Sequence, residues 1–172
     1  MRAYTRLVLL VGCERLAELV VTRRNAAWSF ARGGVEYGRG HYPPMVALHS
    51  GLLVACLAES SLARRPFLPR LGWPMVAAVL ASQGLRWWCV ATLGRSWNTR
   101  IIVVPGRSLV RRGPYRWLRH PNYLAVVVEG AALPLVRSAW VTAAAFTGLN
   151  ALLLAVRIRR ENAALGKNVF GN

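Results

Sequence analysis

Acidic residues are scarce in this sequence: six glutamates and no aspartate stand against 23 basic residues, leaving a net charge of +17 over 172 residues. An excess of that size first suggests a nucleic-acid-binding domain. The placement of the charges argues against that class. A nucleic-acid binder needs its cations on a continuous solvated face, whereas these fall in clusters between long apolar runs. Cysteine is sparse as well. Cys13, Cys56 and Cys89 each stand alone in apolar sequence, with neither the paired spacing of a zinc site nor the numbers for a disulfide framework, and read as small packing residues. Internal repeats, low-complexity tracts and heptads are absent, and the loops are too short for a second domain, so residues 1–172 are expected to form one domain.

What the sequence has in abundance is apolar surface: 55% of its residues are hydrophobic, and the mean hydropathy is +0.32. Such a chain needs lipid around it. A hydrocarbon core about 30 Å thick takes roughly 20 helical residues to cross, and five segments are candidates: Tyr4 to Val21, Pro43 to Leu62, Leu71 to Leu93, Asn122 to Val136, and Ala139 to Val156. Only Arg137 and Ser138 separate the last two, which demands a tight antiparallel hairpin. Arg2 and Arg6 before the first apolar stretch imitate a signal peptide, but Glu14, Arg15 and Glu18 interrupt it, so it is read as a retained helix. The expectation is an all-α polytopic membrane helix bundle of about five transmembrane helices with a C-terminal helical hairpin. Its long polar segments, Thr22 to Tyr42, Gly94 to Pro121 and the tail from Arg157, fall on one side with 15 basic residues against six on the other. By the positive-inside rule that side is expected to be cytoplasmic.

Charges within hydrocarbon are costly unless paired or facing a cavity, so Glu14, Arg15, Glu18, Arg86 and Glu129 call for an account. Arg15 and Glu18 are one helical turn apart and can pair on one face. Two compatible readings stand: an internal salt-bridge network tying helices together, and the lining of a polar substrate cavity. His49 lies mid-span and His41 at the polar edge of the same segment. Neither forms a metal triad with His120, and no metal site is expected.

The densest polar motif runs from Arg107 to Tyr123. Gly113 and Pro114 make a turn, Pro121 suits the first position of the next helix, and Trp97, Tyr115, Trp117 and Tyr123 suit a membrane interface. In order, the stretch reads Ser108-Leu109-Val110, then Gly113-Pro114-Tyr115, then Arg119-His120-Pro121-Asn122-Tyr123, and after the hairpin come Arg157, Glu161, Asn162 and Leu165. This resembles the isoprenylcysteine carboxyl methyltransferase family, whose pattern is small-Leu-Val, Gly-x-Tyr and Arg-His-Pro-x-Tyr, followed after a helical hairpin by Arg-x-x-x-Glu-Glu-x-x-Leu. The resemblance spans about Gly94 to Leu165, the half of the chain expected to bind the cofactor. It departs at Asn162, which stands where the family has its second Glu, and after Phe170-Gly171, where many relatives continue into a tyrosine-containing tail. Cofactor affinity or closure of the site is expected to differ accordingly. The first half, with Glu14, Arg15 and Glu18, Arg24-Asn25, and Gly33, Gly34, Glu36, Tyr37 and Gly38, resembles the bacterial branch found beside type III polyketide synthases, associated with O-methylation of alkylpyrones or alkylresorcinols.

The resemblance implies S-adenosylmethionine as cofactor, held by Leu109, Val110, Tyr115, His120, Pro121, Asn122, Tyr123 and Glu161. It implies a lipophilic small-molecule acceptor whose anionic oxygen is held by Arg157. The absence of a glycine-rich dinucleotide turn speaks against a soluble-type methyltransferase site. An acceptor that must lose a proton would look to His41, His49 or Glu18. The competing class is a non-catalytic membrane protein, a small transporter or assembly subunit, using the intramembrane charges for conduction or docking. Membrane lipids are expected neighbours and nucleic acid is not; the sequence leaves the oligomeric state open.

Overall fold

The computed structural model describes the backbone of residues 1–170 and the side chains of residues 1–166. The side chain of Lys167, one of the basic residues of the tail, and the last two residues, Gly171 and Asn172, lie outside the described residues. Five helices form: α1 (Arg2–Phe30), α2 (Tyr42–Leu62), α3 (Pro69–Leu93), α4 (Pro121–Leu135) and α5 (Trp140–Phe170). The segments containing α2, α3 and α5 are long and apolar enough to cross a bilayer. The 29-residue α1 is long enough but carries Glu14, Arg15 and Glu18, and the 15-residue α4, about 22 Å at 1.5 Å per residue, is short for a full span. Much of the apolar surface faces outward: Leu10, Val54, Trp73, Leu80, Val141 and Leu152 are all exposed, as a lipid-facing surface requires.

Two helices run further than their apolar segments indicate. α1 continues past Val21 to Phe30, and α5 past Val156 to Phe170. The cause in α1 is a stripe with alternating spacings of four and three: Tyr4, Val8, Val11, Arg15, Glu18, Thr22, Asn25 and Ser29. All but Arg15 are buried. Its first half is apolar and joins Leu52, Cys56, Val79, Leu133 and Phe146 in the main core. Its second half is polar and buries itself against loops instead of lipid.

The bundle also contains an element absent from the all-helical expectation. A two-stranded antiparallel sheet pairs β1 (Val35–Tyr37) with β2 (Ile101–Val103), in register Val35 to Val103, Glu36 to Ile102 and Tyr37 to Ile101. It clips the α1–α2 connection to the α3–α4 connection. Ile101 and Val103 pack with Ala164 and Leu165, so the clip also holds the C-terminal half of α5. The α4–α5 connection is the expected tight hairpin. Ser138 adopts a positive φ of 54° there, and Gly130 lies so close to Phe146 that a Cβ would be 2.0 Å from the ring. At the same end of the bundle Glu59 of α2 caps α5, accepting hydrogen bonds from the Val141 and Thr142 amides at 3.3 and 2.7 Å.

The intramembrane charges close into a network joining α1, α3 and α4. Arg15 pairs with Glu18 at 3.0 Å and with Glu129; Arg86 pairs with Glu18 at 3.2 Å and Glu129 at 2.7 Å. Gln83 donates to Glu129 at 3.0 Å. Two cations and two anions leave the set neutral, which lets Arg86 and Glu129 sit almost fully buried. Glu14 stands apart from it, with no hydrogen-bond partner among the described residues.

Removing Glu129 leaves two guanidiniums sharing one carboxylate. Glu129→Ala is therefore expected to cost about 3–5 kcal/mol, read as a collapse of the thermal unfolding midpoint in detergent. The double variant Arg86→Leu/Glu129→Leu, which keeps the Arg15–Glu18 pair neutral, is expected to recover more than half of that loss.

Candidate active site

The polar half of α1 fastens the segment that follows α3. The Asn25 amide nitrogen donates to the carbonyls of Gly94 (3.0 Å) and Trp97 (2.7 Å), and the Thr22 hydroxyl accepts from the Thr99 amide at 3.1 Å. With the β1–β2 clip, this holds the α3–α4 connection across the end of the bundle. Beneath it lies a cavity of about 1070 Å³ that reaches from the loop and the end of α5 down to Arg15, Glu18 and Arg86. The charge network is thus both a helix tie and a cavity floor, and the two sequence readings of it are reconciled.

The loop side of the cavity is built from the motif residues. Gly113 opens a short 3-10 turn, Gly113–Arg116, at a positive φ of 56°. A Cβ there would stand 2.5 Å from the Thr92 hydroxyl, so the turn can close against α3 only with glycine. Tyr115 follows in the turn. Burial first, then its contact with the Cys89 thiol and the charge of Glu161, holds its phenol far above the ordinary value, so it is a neutral hydrogen-bonding group at physiological pH. Pro121 begins α4, where its missing N–H is no loss, and is fully buried.

Continuation of α5 places Arg157 and Glu161 one turn apart on the face turned to α4. The Tyr123 hydroxyl donates to Glu161, and the His120 ring stacks on Tyr123 at 5.3 Å between centroids. His120 Nε2 is 3.1 Å from the Asn162 side-chain oxygen, and its Nδ1 is 3.9 Å from Glu161. Asn162, the departure from the family pattern, is therefore engaged in fixing the His120 ring. Two motif fragments separated by the whole helical hairpin become one cluster.

Arg157 occupies the join between this cluster and the deeper cavity. It is 5% exposed. One guanidinium nitrogen donates to the Thr99 carbonyl at 2.9 Å, another lies 2.9 Å from the Met45 sulfur, and the group sits over the Tyr123 ring at 5.7 Å. Among the described residues no carboxylate is ion-paired with it, and its Nε has no acceptor. The side chains of Asn98 and Asn150, both cavity-lining, likewise keep buried polar atoms without partners, as does the Asn122 oxygen.

The sequence candidates sort as follows. Glu18, His49, Leu109, Val110, Tyr115, His120, Asn122, Tyr123, Arg157 and Glu161 line the cavity. His41 and Pro121 are not among the lining residues; the His41 ring packs on Gly38, where a Cβ would come within 2.2 Å of it. His49 lines the wall with Nδ1–H donating to the Met45 carbonyl at 2.9 Å, which fixes the neutral ring's tautomer and leaves Nε2 as the acceptor. Sequence reasoning passed over Asn98, Thr99 and Asn150. A lone asparagine within the apolar run of α5 was the available signal for Asn150; Thr99 contributes through its backbone and left none.

A model of the isoprenylcysteine carboxyl methyltransferase (ICMT) family matches residues 75–167. The chain belongs to that family. The match takes in most of α3 as well as the motif half, and so spans the positions of Arg86 and Glu129. This ICMT-family chain is 41% identical over 160 residues to "Uncharacterized protein YpbQ" of Bacillus subtilis (strain 168), covering 92% of the chain and 94% of the relative. It is 25% identical over 154 residues to an "Uncharacterized protein" of Haemophilus influenzae, covering 88% of each. Membership makes it an integral membrane protein of a methyltransferase family whose members generally use S-adenosylmethionine.

Gly113→Ala places a side chain in the left-handed region at a cost of about 1–2 kcal/mol and crowds Thr92. The expected result is faster tryptic cleavage across Arg111 to Arg119 with unchanged helical content by circular dichroism.

Proposed function

We propose that the chain transfers a methyl group from S-adenosylmethionine to an oxygen, a carboxylate or acidic hydroxyl, of a lipophilic substrate such as an alkylpyrone, alkylresorcinol or prenylcysteine. The observation that carries this reading is Arg157: a desolvated guanidinium without a carboxylate partner among the described residues, at the point where the family motif meets the interior of the cavity. A buried cation in that state calls for an anion, and a forked donor suits the two oxygens of a carboxylate or the oxygen of an ionised hydroxyl.

The unpartnered polar atoms of Asn98 and Asn122 beside the motif fit a polar cofactor. Leu109 and Val110 offer it an apolar wall, Tyr115, His120, Asn122 and Tyr123 polar and aromatic contacts, Pro121 the start of the helix behind them, and Glu161 a carboxylate for a ribose hydroxyl or an ammonium group. S-adenosylmethionine, when bound, supplies an electrophilic methyl group on a sulfonium. The chain's own part is to align the acceptor oxygen in line with that methyl and to keep water away, which accounts for a large share of such a barrier.

An ionised carboxylate or hydroxypyrone needs no base. A phenol does, and His49 is then the best placed of the three candidates, because Glu18 is held by two guanidiniums and His41 is outside the cavity lining. Each buried methylene of an alkyl chain is worth about 0.8 kcal/mol, so such substrates reside in the bilayer, and the cavity's reach between helices serves a head group entering from lipid. The positive-inside balance supports a site facing the cytoplasm of a bacterial cell membrane. Mutual pairing of the intramembrane charges weighs against a conduction pathway through them.

The first test is calorimetric titration of the detergent-purified chain with S-adenosylmethionine. Micromolar binding, weakened at least about tenfold (roughly 1.4 kcal/mol) in His120→Ala and in Glu161→Ala, is the expected result; a well-folded chain that binds none overturns the proposal. Arg157→Ala is expected to keep cofactor affinity while losing about 100-fold or more in methyl transfer, as removal of a charge-stabilising donor does, measured with labelled cofactor. His49→Ala is expected to slow turnover on phenolic acceptors and to leave carboxylate acceptors unaffected, measured in the same assay.

A further inference from the structure

Outside the large cavity, arginines gather around a single indole. The guanidinium carbons of Arg32, Arg107 and Arg95 lie 4.2, 4.8 and 5.9 Å from the centre of the Trp28 ring. Arg24 and Asn25 complete, with Trp28 and Arg95, a separate concavity of about 380 Å³. Cations this close repel one another, and the face of an aromatic ring offsets only part of that repulsion. Elsewhere the chain answers clustered arginines with carboxylates: Arg39 and Arg100 share Glu36, and Arg65 takes Glu59. Among the described residues no carboxylate is ion-paired with Arg24, Arg32 or Arg95. The Trp28 indole N–H is shielded and has no acceptor among the described residues. The concavity is rich in donors and poor in acceptors.

Its height in the bundle is informative. Arg24 follows the apolar part of α1, and Arg95 lies at the end of the span-length helical segment Pro69–Ser96. Both stand where the phosphate layer of a bilayer meets a membrane protein, and tryptophan and arginine are the residues that settle there.

We propose that the Trp28 arginine cluster is a binding site for the headgroup of an anionic phospholipid. Arg24, Arg32 and Arg95 donate to the phosphate oxygens in the forked geometry that guanidinium and phosphate share. The site does not rest on the methyltransferase reading. It adjoins the large cavity through Arg107, which stacks on Trp28 and also lines that cavity in the loop carrying Leu109 and Val110.

The test is calorimetric titration of the full chain in detergent with dihexanoylphosphatidylglycerol below its micelle concentration, beside dihexanoylphosphatidylcholine and inorganic phosphate. Saturable binding of the phosphatidylglycerol is expected, at least tenfold weaker in Arg24→Gln/Arg95→Gln and unchanged in Arg64→Gln/Arg70→Gln, an exposed pair with the same loss of charge at the other end of α3. Equal weakening in both pairs reduces the effect to general charge attraction and overturns the proposal. So does phosphatidylcholine binding as tightly, phosphate alone binding as tightly, or wild-type protein that binds none of the three.

Discussion

Buried charge must be neutralised where it stands, and in this molecule the set Arg15, Glu18, Arg86 and Glu129 does so across three helices. Hydrocarbon offers no water to replace a missing partner. The rotation of α1, α3 and α4 about their own axes is therefore constrained together, since turning any one of them away would strand a charge. From that fixed point α1 presents its polar stripe to the loops at one end and its apolar stripe to the core at the other.

The loop architecture follows from that orientation. With Thr22 and Asn25 on the face that Glu18 already commits to the interior, the backbone after α3 finds acceptors and donors on α1, and the β1–β2 clip completes the attachment. A long connection so held does not fill the space beneath it. The result is a cavity with a charged but self-compensated floor, apolar walls between helices, and a rim that includes Leu109, Tyr115, His120, Tyr123 and Glu161.

Arg157 is the counterpoint to the floor. Its guanidinium is as desolvated as the charges of the network, yet its partners are a carbonyl, a thioether and an aromatic face. Protein interiors seldom keep a cation in that state without function. The network's charges are paired and hold helices, whereas Arg157 has no carboxylate ion pair among the described residues, and the extension of α5 beyond the apolar segment is what places it at the edge of the cavity.

The sequence by itself determined the membrane character, the order of the helices, the tight α4–α5 hairpin and the motif residues, because each is written in local composition or spacing: apolar runs of span length, Arg137 and Ser138 alone between two of them, proline at a helix start. It also showed that Arg15 and Glu18 could pair, since i and i+3 share a face. Only the tertiary structure decided that Glu129 and Arg86 join them, that a sheet links two loops more than sixty residues apart, and that α1 and α5 run on beyond their hydrophobic segments. These features depend on partners distant in the chain. Polar residues such as Thr22, Asn25 and Thr99 look like loop or surface residues until the segment they bond to is brought against them, and no periodicity records which segment that is.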